Sequence, residues 1–211
     1  MLKSVSVKTE EIVNVITAGI GIVLSIIALI FMVVRSVYSQ DIVELIASII
    51  FGISLILAYI MATLFHGTKN IRKKYFLNKL DHSSVYLLIA GTYTPITIVL
   101  LQGSWGWSLF FMQWFLAISG ILFKLFWYKH KYRKISAYTY IIMGALIIFA
   151  TNLLLEKLPL DALFWLAIGA VSYVVGAIFY LQNKLFFHGI WHIFVLTGSI
   201  SHFIFIYFHI L

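Results

Sequence analysis

The chain has 211 residues, of which 63% are apolar, 17% aromatic and only 10% charged, and its mean hydropathy is +1.04. A water-soluble globule carries about a quarter charged residues, so lipid is the expected main solvent and a large soluble domain on either side is excluded. No cysteine is present, which removes disulfides, thiolate metal sites and cysteine nucleophiles, and the formal charge of +8 first asks which side of a membrane the basic loops face.

Seven uniformly apolar runs follow in chain order, at residues 12–34, 42–65, 83–101, 105–128, 135–155, 160–181 and 185–211. Each is near the length a helix needs to cross about 30 Å of hydrocarbon, and none alternates with the period of a barrel strand. The reading is an all-α integral membrane protein, a seven-transmembrane helix bundle forming one domain over residues 1–211 without linker or repeat. The first run is too long, and too acidic just before it, for a cleaved signal peptide.

Orientation follows from Lys and Arg, which collect on the cytoplasmic side. With the N-terminus inside, the inner segments carry Lys3, Lys8, Lys69, Arg72, Lys73, Lys74, Lys79, Lys124, Lys129, Lys131, Arg133, Lys134 and Lys184, and the outer ones only Arg35 and Lys157. This predicts a cytoplasmic N-terminus, an external C-terminus and a multi-pass place in the cell membrane. The basic segments 67–80 and 129–134 then act as topology determinants beside anionic lipid head groups, with membrane lipids rather than nucleic acid as partners.

Depth now sorts the ionisable residues. The second run ends at His66, the third begins just after Asp81, and the seventh opens with His188 and His192. Four potential ligands from three helices thus share one level near the cytoplasmic face. The i, i+4 spacing of His188 and His192 puts both imidazoles on one helix face. Three neutral imidazoles with a water or carboxylate make a four-coordinate zinc site, and three protein ligands alone leave the open position of catalytic zinc, with Asp81 as the catalytic candidate that orients a water or takes its proton. The alternative is that these histidines are interfacial and bond to backbone or head groups.

Glu11 and Asn14, three apart at the start of the first run, either support this site or form an ordinary helix-start pair near the positive dipole end. His202 lies ten residues past His192, about 15 Å deeper, as a hydrogen-bonded interior histidine or a cavity-lining one. His82 is expected on a different helix face from Asp81, His130 among solvated lysines and His209 at the outer interface. The segment Gly91-Thr92-Tyr93-Thr94-Pro95 interrupts the third run; proline removes an amide donor that threonine hydroxyls or a neighbour must replace, and the result is either close packing or a cavity beneath the metal. Gly19, Gly21, Gly169, Gly176 and Gly198 suggest small-residue helix contacts, and Trp105 and Trp107 an outer aromatic belt.

The blocks Thr63-Leu64-Phe65-His66, Leu80-Asp81-His82, Ile89-Ala90-Gly91-Thr92-Tyr93-Thr94-Pro95, His188-Gly189-Ile190-Trp191-His192 and Ser201-His202-Phe203, with the opening Glu11-Ile12-Val13-Asn14, resemble the hemolysin III family, the bacterial branch of the progestin and adiponectin receptor family. The resemblance runs from the first span to the last. It implies a seven-helix bundle with zinc near its cytoplasmic end, His66, His188 and His192 as ligands, Asp81 acting through or beside a water, and kinship with membrane ceramidases. Two positions depart from the pattern: Ala62 stands where the family usually has serine, and Ala18 where it often has histidine. Thr63 neighbours the missing hydroxyl but points about 100° away around the helix.

Three functions compete. A zinc-dependent hydrolase of a membrane lipid amide or ester explains the cluster and the membrane setting, with Ala62 as its weakness. A non-enzymatic zinc-binding sensor or regulator tolerates Ala62. A pore, as the family's hemolysin name suggests, needs a polar lining, and the middle of these spans offers little beyond His202 and a few Ser, Thr and Asn residues.

Overall fold

A computed structural model describes residues 2–127, 133–182 and 184–211, with side chains from residue 8 in the first stretch and from 134 in the second. Lys129, His130 and Lys131, assigned above to a solvated inner loop, lie outside the described residues, as do the side chains of Lys3 and Arg133.

Eight α-helices make seven membrane-length spans among the described residues. They are α1 (Leu2–Ser39), α2 (Ile42–Gly67), α3 (Ile71–Pro95), α4 (Gly103–Phe126), α5 (Arg133–Ala145), α6 (Thr151–Lys157), α7 (Leu160–Leu181) and α8 (Phe187–His209). The fifth span is composite, because α5 passes through a 3₁₀ segment, Leu146–Ala150, into α6.

Side-chain caps fix two helix starts, of which hydropathy sees the first, at Ile42, and misses the second. Asp41 accepts from the amides of Val43 and Glu44 at the head of α2, and Asn70 accepts from Lys73 N at the head of α3. The second cap corrects the expected 67–80 loop: the chain is helical again from Ile71, since polar residues that lower hydropathy still make good helices. Likewise α1 begins at Leu2, well before Glu11, so the helix-start reading of Glu11 and Asn14 fails.

Pro95 ends α3, and the chain continues as a π-helical turn, Ile96–Leu101, closed by Gln102 N bonding back to Thr97 O at 3.0 Å. The threonine hydroxyls bond to carbonyls near the proline, but to others than Gly91 O, the one that Pro95 leaves without its amide donor. Thr94 Oγ1 donates to Ala90 O and Thr97 Oγ1 to Tyr93 O, both at 2.9 Å, while Trp114 Nε1 donates to Thr94 Oγ1 at 3.2 Å.

The third span, α3 with its π-helical turn, is the centre of the bundle: 67% of its most apolar stretch is buried, against 17% for the fifth span. It packs between α2 and α4, while α1 and α2, and α7 and α8, form the other broad contacts and α1 meets α8. The 3₁₀ break in the fifth span leaves backbone groups that lipid cannot satisfy. Tyr93 supplies partners, its hydroxyl donating to Gly144 O at 2.7 Å and accepting from Ile147 N at 2.8 Å, and Gln113 Nε2 donates to Met143 O at 2.7 Å. The fifth span touches α3, α4 and α7 sparingly, which leaves a partly open cavity beside it.

Candidate metal centre

At the end of the bundle where α2 finishes and α8 begins, three imidazoles converge. His66 comes from the last turn of α2, and His188 and His192 from the first two turns of α8. One ligand atom of each lies within 4.8 Å of the others, and His66 Nε2 stands 3.0 Å from His188 Nε2. His66 and His192 are buried and His188 is half-buried.

Helix α1 reaches two of these rings from behind. Glu11 Oε2 lies 2.6 Å from His66 Nδ1, and its other oxygen accepts from Lys74 Nζ at 2.6 Å. A carboxylate only accepts, so His66 Nδ1 carries the hydrogen and Nε2 presents its lone pair to the centre. The Asn14 amide stands 3.3 Å from the same Nδ1. One turn on, the Thr17 hydroxyl is 3.1 Å from His192 Nδ1 while donating to Val13 O at 2.9 Å. Its oxygen therefore accepts from His192 Nδ1–H, and the Nε2 lone pair of His192 is likewise left for the centre. Glu10 pins the opening of α8, accepting from Phe186 N at 2.8 Å, where Phe186 holds a left-handed φ of 63°.

This donor set fits a divalent ion that takes imidazole nitrogen. A lone pair aimed at a second Nε2 3.0 Å away asks for a proton or a cation between them. A tetrahedral zinc bound at about 2.0–2.1 Å wants nitrogens about 3.4 Å apart, a spacing this pair nearly has, with the third ring's ligand atom within 4.8 Å of both.

Below the histidines runs a cavity of about 330 Å³. Asp81, Ala62 and His192 line its upper end, and Ile96, Leu166 and His202 lie deeper. Its wall is almost wholly apolar.

The cavity accounts for several expectations. Asp81 lies on its wall beside the histidine end, and Ala18 and Ala62 also line it. Thr63 is not brought to the cluster; its hydroxyl donates to Tyr59 O at 2.8 Å. His202 answers both readings, since it lines the cavity and its Nε2 faces Leu166 O at 3.4 Å, its ring filling the place a Cβ on Gly169 would take. His82 keeps to a different face from Asp81, which alone of the two lines the cavity, but the side chains still meet, His82 Nδ1 lying 3.1 Å from Asp81 Oδ2 and 2.8 Å from Asn78 O. Lys124, counted above with the connection lysines, is fully buried inside α4.

Thr17, Lys74 and Tyr180 were not singled out as site residues. Thr17 had a signal, lying three residues after Asn14 as Asn14 lies after Glu11, which puts all three along one side of a helix. Tyr180 had none, being one aromatic in an apolar span.

Comparison with known proteins agrees with this architecture. The family described as haemolysin-III related matches residues 6–203. The chain is 44% identical to Hemolysin-3 of Bacillus cereus over 96% of its own length and 92% of that protein. It is 40% identical to a Hemolysin-3 homolog of Bacillus subtilis, covering 95% and 94%. Against the human Monocyte to macrophage differentiation factor it is 29% identical, covering 78% and 71%. The chain, a multi-pass membrane protein by its seven spans, belongs to the haemolysin III family.

Proposed function

We propose that this protein is a zinc-dependent hydrolase of a membrane lipid amide or ester, with the histidine centre and the N-terminus on the cytoplasmic side of the plasma membrane. One observation carries the reading: a three-imidazole cluster with a carboxylate beside it opens onto a long apolar cavity inside a membrane bundle.

His66, His188 and His192 would hold the ion through Nε2. Zinc, when bound, polarises a carbonyl and lowers the pKa of water toward neutrality. Asp81 stands on the cavity wall at this end, where it takes a proton from an attacking water and returns it to the leaving group. The apolar wall from Ala62 to Ile96 receives the acyl chain and keeps bulk water away. The orientation rests on the split of basic residues. The apolar cavity wall gives no support to a water-filled pore.

A second reading, a zinc-binding regulator without turnover, is favoured by Ala62. Its methyl group offers no hydrogen-bond donor at the cavity end where a carbonyl would react.

Elemental analysis of detergent-purified protein beside a His188→Ala/His192→Ala variant, with parallel hydrolysis of ceramide and phospholipid vesicles, tests both. One zinc per chain, lost in the variant together with lipid turnover, is the expected result. Zinc without turnover leaves the regulator. No metal in the parent after zinc is supplied overturns both.

A further inference from the structure

A second constellation stands beside the histidine cluster on the α3–α7 wall. His82 Nδ1 lies 2.8 Å from the Asn78 carbonyl and 3.1 Å from Asp81 Oδ2. Both of those oxygens accept, so Nδ1 carries a hydrogen, and in the neutral ring Nε2 is an acceptor. At 2.8 Å from that Nε2 is the hydroxyl of Tyr180, which therefore donates to it. Asp81 and Tyr180 line the cavity, and His82 stands behind them, buried.

Other hydroxyls on this wall are engaged differently. Ser84 donates to Asp81 O at 2.6 Å and Tyr140 to His82 O at 2.7 Å. Deeper down, Tyr93 donates to Gly144 O, and Tyr59 and Tyr173 meet Ser199 Oγ at 2.9 and 3.0 Å. Carbonyls and a serine hydroxyl hold a proton poorly. An imidazole backed by a carboxylate takes one readily, which is how a hydroxyl becomes a nucleophile.

We propose that Tyr180 is a reactive hydroxyl toward electrophilic lipids in the cavity, activated by His82 with Asp81 as its positioning partner, and needing no metal. With a lipid ester or amide the tyrosyl oxygen bonds to the carbonyl carbon as its proton passes to His82 Nε2. The carbonyl carbon's bond to the alcohol or amine breaks, and the imidazolium, paired with Asp81, gives the proton to that leaving group. Water then cleaves the acyl-tyrosine. This goes beyond the zinc reading and does not rest on it. A lipid chain has room, because the cavity is lined from Asp81 in α3 to Ile96 at the start of the π-helical turn, about 22 Å at 1.5 Å per residue.

Hexadecanesulfonyl fluoride is the probe. The tyrosyl oxygen displaces fluoride from sulfur and the proton again goes to His82. Purified full-length protein is labelled with and without a zinc chelator, and the adducts are mapped by peptide mass spectrometry. The expected result is modification of Tyr180 at least tenfold above Tyr59, Tyr93, Tyr140 and Tyr173, unchanged by chelation, and at least tenfold lower in His82→Gln. Asp81→Asn is the second variant, expected to slow labelling while Tyr180 stays the preferred site. Labelling spread evenly over the cavity tyrosines, absent from Tyr180, or unaltered in both variants overturns the proposal. Because the adduct is read without metal or turnover, its failure is separate from a failure of the zinc measurement.

Discussion

The Thr17 hydroxyl faces His192 Nδ1 at 3.1 Å across the contact between the first and last helices. Its own hydrogen goes to Val13 O, so the pair fixes one tautomer of His192 and aims Nε2 at the centre. Replacing Thr17 by Val removes the acceptor at nearly constant volume. Zinc affinity, measured by competition with a fluorescent chelator, is expected to fall about 10–100-fold, and Thr17→Ser to restore it. Equal affinity in Thr17→Val and parent would refute the tautomer assignment.

Glu11 does the same for His66 while also holding Lys74. Glu11→Ala is expected to weaken zinc about 10–100-fold, and Glu11→Gln less, because the amide oxygen still accepts from Nδ1–H. Lys74→Ala removes a half-exposed ion pair and a cation–π contact with Phe65 at 5.2 Å, and is expected to cost about 1–2 kcal/mol of stability. A Lys74 effect as large as that of Glu11 would move the burden from the ring contact to the salt bridge.

Ala170 lines the cavity away from the clustered His66, His188 and His192. Ala170→Trp should fill the chain-binding space and lower lipid turnover or lipid-probe labelling at least tenfold, with one zinc per chain retained. Loss of both together would mean that the bundle, rather than the cavity alone, had been disturbed.

Tyr93 satisfies two backbone groups at the break in the fifth span. Tyr93→Phe leaves both without a partner where water is scarce, at a cost of about 1–3 kcal/mol. The check is thermal unfolding in detergent, where a clear drop in Tm is expected. Phe at this position with parental stability would show that lipid or water substitutes for the hydroxyl.

The sequence by itself determined the number and class of spans, because uniform hydrophobicity over bilayer length has one structural solution, the helix. It also brought His66, Asp81, His188 and His192 to one level, since a rigid helix turns residue number into depth. What depth does not give is azimuth: which side of α1 meets which ring, and which helices are neighbours. Only the packed bundle decided that Glu11 and Thr17 take the Nδ1 hydrogens of His66 and His192. Packing likewise set Tyr180 against His82. Helix ends were equally hidden, as at Asn70 and the start of α1, because a helix that leaves the hydrocarbon turns polar without unwinding. Hydropathy reads the solvent around a segment; tautomers, cavities and partners come from side chains meeting across helices far apart in the chain.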